Sequence, residues 1–146
     1  MDTNVLVSGI FFGGIPRRVL DAWGEARFEL VLSPSIYDEY LRTCDRLGAS
    51  RPGLEYRELL ATVAGHGTLV PDTRSGDQVT EDPDDDMFML CAARVGAWVV
   101  SGDAHLHDAS GWRGVQVVRP RAFLDLLSAA SRVEPGRRGG RSGLIC

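Results

Sequence analysis

Ala97-Trp98-Val99-Val100-Ser101-Gly102-Asp103 passes from an apolar run into a small-residue turn that ends on a carboxylate. Four consecutive apolar residues, two of them β-branched, read as a strand buried on both faces, the mark of a parallel sheet. In such a sheet, ligands collect at the carboxyl ends of the strands, and Asp103 stands there. Working outward, a helical pattern over about Asp84 to Val95 precedes this strand, with Phe88, Cys91 and Ala92 inward. A second strand, Val115-Gln116-Val117-Val118, follows, and Pro120 opens a helix through about Ala130.

The same alternation runs back towards the start. Gly13-Gly14-Ile15-Pro16 leads into a helix over Arg17 to Ala26, where Val19, Leu20 and Trp23 recur at helical spacing. Phe28 to Leu32 is a strand. Ser33-Pro34-Ser35 signals a helix start running to about Arg46, with Ile36, Tyr40 and Thr43 or Cys44 as its apolar stripe. A helix over Gly53 to Ala64 ends at Gly65-His66-Gly67, Thr68-Leu69-Val70 is a short strand, and Asp72 to Asp84 is a polar loop. Strands alternating with helices predict an α/β fold with a mostly parallel sheet. Residues 1–131 form one domain, and the Gly- and Arg-rich residues 132–146 are expected to be a disordered basic tail.

Composition excludes several classes. With 146 residues, 44% hydrophobic and 25% charged, the chain has the makeup of one globular domain. No apolar run approaches the roughly 18 residues of a membrane span. Cys44, Cys91 and Cys146 are odd in number and lack CxxC spacing, so neither a disulfide framework nor a zinc site is expected, and a reducing cytoplasm is the default. The net charge of −4 divides unevenly: residues 1–131 hold 12 Arg against 19 acids, and residues 132–146 hold 4 Arg against one. A basic tail on an acidic body can touch phosphates while bound cations offset an acidic site.

Asp2, Glu39, Asp85 and Asp103 are the candidate site. Asp2 opens Asp2-Thr3-Asn4-Val5-Leu6-Val7-Ser8-Gly9, Glu39 lies on a helix, and Asp85 sits within Glu81-Asp82-Pro83-Asp84-Asp85-Asp86. Hard oxygen donors of this kind suit Mg²⁺ or Mn²⁺ and the hydrolysis of phosphodiesters. A calcium loop is rejected, because Met87 and Ala93 stand where its Gly and bidentate Glu are needed. Gly13-Gly14 lacks the GK[ST] ending of a phosphate-binding loop.

These residues, together with Leu32-Ser33-Pro34, Glu39-Tyr40, Asp82-Pro83-Asp84-Asp85 and Ser101-Gly102-Asp103, resemble PIN-domain proteins over about Asp2 to Leu127. The likeness is to the toxin branch of bacterial toxin–antitoxin pairs. The resemblance implies a three-layer α/β/α fold and a Mg²⁺- or Mn²⁺-dependent ribonuclease leaving 5′-phosphate and 3′-hydroxyl ends. It also implies a cognate antitoxin, and exposed apolar residues on the first two helices would serve that partner or a homo-oligomer. Asp2, Asp85 and Asp103 fall on the family's metal-site acids, with Asp84 or Asp86 as one-residue alternatives to Asp85. Glu39 matches the helix acid that completes the catalytic set. Asn4 matches the polar residue beside the first Asp, and Ser101 a hydroxyl near the metal. Asp108 is a looser outer acid.

One departure stands out. The family's first Asp follows a central strand of four or five apolar residues, and here only Met1 precedes Asp2. Either the frame continues upstream, the expectation adopted here, or the strand is lost and its neighbours keep unpaired groups at about 1–3 kcal/mol each if buried. Two other readings stay open: a catalytically impaired PIN-like module that binds RNA or protein, and a phosphotransferase with an Asp nucleophile. The latter wants a second Asp two positions after the first, where Asn4 stands. The upstream expectation is checked on the gene: an in-frame stretch reading as a short strand supports it, and a stop codon directly before Met1 sinks it.

Overall fold

The sheet is closed at its centre by the last residues of the chain. In the computed structural model, which describes residues 1–51, 55–73, 76, 78–133 and 143–146, strand β1 (Glu29–Leu32) pairs in parallel with β2 (Thr68–Leu69), Val31 opposite Thr68. On its other side β1 pairs in parallel with β5 (Leu144–Ile145), Leu30 opposite Ile145. Strands β3 (Val99–Val100) and β4 (Val117–Val118) form a second parallel pair. A parallel bridge between Trp98 and Ile145 joins the two, so the strands lie in the order β2-β1-β5-β3-β4.

The ladder is continuous along β3. The Trp98 N–H donates to the Leu144 carbonyl at 2.9 Å, and the Cys146 N–H donates to the Trp98 carbonyl at 2.8 Å. Further along, the Asp2 N–H donates to the Val100 carbonyl at 3.0 Å. Met1 and Asp2 therefore carry on, beside β3, the line that β5 begins. The unpaired neighbours that a lost central strand would leave are not found among the described residues, because β1 and β3 pair with β5. The tail expected over 132–146 is corrected at both ends: helix α7 (Pro120–Val133) extends into it, and its last residues are core. Residues 134–142 lie outside the described residues.

The helices follow the expected rhythm, with additions. The opening motif is itself a helix, α1 (Thr3–Phe11), capped by Asp2, whose Oδ1 accepts from the Val5 N–H at 2.7 Å. It packs on α2 (Gly14–Gly24) and on α3 (Pro34–Gly48). Pro34 opens α3 as expected, but the Ser33 side chain makes no capping bond. Instead Asp72 reaches across from the far loop to accept from the Ser35 N–H at 3.2 Å. Thr43 and Cys44 are both buried on α3. Helix α4 (Tyr56–His66) packs on α3, and α5 (Asp86–Val95) lies against β1 and β3. Gly96, with φ +69°, takes the left-handed turn that ends α5 and drops the chain into β3. A short helix not anticipated from sequence, α6 (Ala104–Asp108), follows Asp103 directly.

The cysteine expectation is also corrected. Cys91 on α5 and Cys146 beyond β5 form a disulfide with Cα atoms 6.4 Å apart, while Cys44 is free and buried. Sequence spacing carried no sign of this pair, because 55 residues separate its halves. It ties the end of the central strand to a helix packed beneath it.

Ile145 is fully buried, so Ile145→Ala should cost about 2–5 kcal/mol in urea denaturation. A residue in a solvated tail would shift stability by no more than about 0.5 kcal/mol, and that result would refute the strand.

Candidate active site

Asp2, Glu39, Asp85 and Asp103 come together on one cleft of about 180 Å³, although 101 residues of chain separate the first from the last. Each is delivered by a different element. Asp2 caps α1 at the end of the ladder with β3. Glu39 sits on the second turn of α3, Asp85 precedes α5, and Asp103 caps α6, its Oδ1 accepting from the His105 N–H at 2.7 Å. Asn4, exposed on the first turn of α1, lines the same cleft.

Ser101 links two of the acids. Its hydroxyl donates to Asp2 Oδ2, and its oxygen accepts from the Asp103 N–H at 2.9 Å. The side chain is fully buried and does not line the cleft. Its hydrogen bonds go to positioning Asp2 and the turn that carries Asp103. The Asp2 carboxyl is pushed up from its ordinary value by burial, against the downward pull of the Ser101 hydroxyl and the Val5 N–H.

The three consecutive aspartates divide by what holds them. Asp86 is spent on the preceding loop, accepting from the N–H and hydroxyl of Thr80, each at 2.7 Å. Asp84 and Asp85 both line the cleft, with Asp84 exposed and Asp85 half-buried. Asp85 makes no capping bond to α5. Its pKa is pushed up to about 6, first by burial and then by the charges of Asp103, Asp82 and Asp2. A carboxyl raised by neighbouring carboxylates is a group short of positive charge.

Glu39 is held more firmly. Arg42 pairs with its Oε2 at 2.9 Å and the Thr43 hydroxyl donates to its Oε1 at 3.0 Å. His105 lies beside the cleft and pairs through Nδ1 with Glu81 at 2.6 Å, while His107 Nε2 meets the Ser101 carbonyl at 2.8 Å. Asp108, the looser candidate, is exposed at the end of α6 and does not line the cleft. Sequence reasoning passed over Arg46, Thr3 and Thr43, which also line it. Thr43 and Arg46 stand four and seven residues after Glu39, and that helical spacing was the available signal.

The donor set matches a hard divalent cation in kind: six carboxylates line the cleft, one of them the raised Asp85, against a single thioether, that of Met87. The acids are gathered but not drawn tight. Among the described residues, no three His, Cys, Asp or Glu side chains already stand as a ligand group. An ion that keeps several waters and takes one or two carboxylates directly fits such a spacing.

A family model described as PIN domain matches residues 1–105. Comparison with curated proteins and with solved structures found no match.

The raised Asp85 makes stability depend on pH with a definite sign. The folded chain keeps a proton there that the unfolded chain gives up between 3.8 and about 6. In chelator, this contribution therefore falls as pH rises through that window and is level above it. Asp85→Asn should flatten that fall and raise the melting temperature at pH 7 relative to pH 4.5. Parallel curves for the two proteins in thermal melts would refute the assignment.

Proposed function

The chain belongs to the PIN-domain family, and on that premise we propose that it is a divalent-metal-dependent endoribonuclease, the toxin of a toxin–antitoxin pair. PIN domains are generally nucleases. The observation that carries the reading is the meeting of Asp2, Asp85 and Asp103 on one cleft, with Asp85 pushed up to about 6 by burial and by the neighbouring acids.

In this reading Asp2, Asp85 and Asp103 hold Mg²⁺ or Mn²⁺, directly or through water. The ion would supply polarisation of a phosphoryl oxygen and a more acidic bound water. Glu39 orients the attacking water and draws off its proton, with Arg42 and Thr43 holding the carboxylate in place. Ser101 keeps Asp2 aimed, and Asn4 offers its amide to the substrate or the ion's water shell. The products would carry a 5′-phosphate and a 3′-hydroxyl.

The same reading includes a cognate antitoxin and self-association. Phe12, at the corner between α1 and α2, is 64% exposed and stacked against the Arg51 guanidinium at 4.6 Å. That corner is where either partner would find apolar surface. Among the described residues, no helix is long and apolar enough to cross a membrane.

A second reading has one observation in its favour. The absence, among the described residues, of a ready group of three metal ligands suits a module that binds RNA without cutting it. Incubation of purified protein with single-stranded RNA separates the two. Cleavage should require Mn²⁺ or Mg²⁺, stop in EDTA, and fall by on the order of 10²-fold or more in Asp103→Asn, the scale of losing one preorganised electrostatic group. Folded protein that binds RNA and leaves it intact would favour the module, and equal cleavage by the variant would reject the site.

A further inference from the structure

Arg46 is the one basic side chain among the described residues that line the acidic cleft. It stands seven residues after Glu39 on α3, two turns along the same face and about 10 Å further down the axis. Six carboxylates line that cleft: those of Asp2, Glu39, Asp82, Asp84, Asp85 and Asp103. Arg46 nonetheless makes no hydrogen bond or ion pair to any of them or to any other described residue. Glu39, the acid on its own helix, is taken by Arg42 instead. Arg46 is exposed and paired with none of the carboxylates, so its guanidinium is open to a ligand in the cleft.

Its position in the last turn of α3 favours a cation through the helix dipole, at about 0.3–1 kcal/mol. That accounts for a charge there and leaves the guanidinium itself unpaired beside the cleft. A second donor lining the cleft is also unspent. The Thr3 Oγ1 is buried without a hydrogen-bond partner, and Thr3 lines the cleft with Asn4. The cleft thus combines six carboxylates, where cations would gather, with one unpaired cation, Arg46. A polyanion whose backbone crosses the cleft would meet that guanidinium with a phosphate. Arg is suited to this contact, because its planar fork grips two phosphate oxygens at once.

We propose that Arg46 is a positioning residue that binds a phosphate of single-stranded RNA neighbouring the one that is cut, setting the strand's register across the cleft. The proposal rests on the ribonuclease reading for its substrate and extends it to a residue outside the acidic set. Arg46 acts on affinity and register. It takes no part in bond breaking, so its loss raises KM far more than it lowers kcat.

The test is binding of a fluorescein-labelled single-stranded RNA by anisotropy, in the Asp103→Asn background, across a series of KCl concentrations. Arg46→Gln should lower the slope of log affinity against log salt by about 0.7, the value for one phosphate contact on a single strand, and weaken binding about fivefold at 0.1 M salt. Arg46→Lys should restore the slope, and Arg18→Gln, exposed on α2 away from the cleft, should leave it unchanged. An unchanged slope in Arg46→Gln overturns the proposal, whether or not the active chain cleaves RNA. Loss of slope in a chain that never cleaves would retain the phosphate contact and reject the nuclease instead. Failure of the parent chain to bind RNA would remove both.

Discussion

Backbone groups inside a parallel sheet must find partners on both sides, and in this protein Leu144 and Ile145 meet that demand between β1 and β3. Each unpaired buried amide or carbonyl would cost about 1–3 kcal/mol, and the gap they fill is the centre of the sheet. The consequence reaches the site. Along β3 the ladder passes from the last residues of the chain to Asp2, whose N–H finishes it on Val100. The first acid of the cleft is thus held by the same hydrogen-bonded line that closes the fold. Tyr40 adds a side-chain bond to the Met1 carbonyl from α3, the helix that carries Glu39.

The cleft concentrates charge that folding by itself would disperse. Asp2 is desolvated, Asp85 titrates near 6, and Asp103 and Asp82 press on it. Such an arrangement opposes the stability of the folded chain and is sustained by the structure around it. Ser101 and the Val5 N–H stabilise the Asp2 charge, Arg42 and Thr43 that of Glu39. Asp86, by contrast, serves the loop before α5 and leaves Asp85 free. Two neighbouring carboxylates of the same chemistry differ because one meets the Thr80 N–H and hydroxyl and the other meets open cleft.

Much of the fold is legible residue by residue. The spacing of Ile36, Tyr40 and Cys44 defines the buried stripe of α3, and Val99-Val100 is the buried strand expected there, although Trp98, expected to be buried with it, is exposed. Pro120 and Gly96 mark a helix start and stop, because their backbone preferences act locally. Helix α1 escaped notice because its hydrophobic residues, Val5, Leu6, Val7 and Phe11, do not sort cleanly onto one face. The Asp72 cap on α3 and the Cys91–Cys146 pair were invisible for another reason: their partners are 37 and 55 residues apart.

What the sequence by itself determined is the set of local choices and the identity of the acids. Periodicity and turn chemistry specify helices and strands within a few residues, and four separated motifs in order are enough to show the family. Only the tertiary structure decided which strand fills the centre of the sheet, that Asp84 and Asp85 face the cleft while Asp86 turns to the loop, and that Arg46 stands unpaired beside them. Those outcomes depend on which groups find partners across long stretches of chain. Hydrogen bonding and charge pairing act over a few ångströms of space, and the order of residues along a chain does not record that proximity.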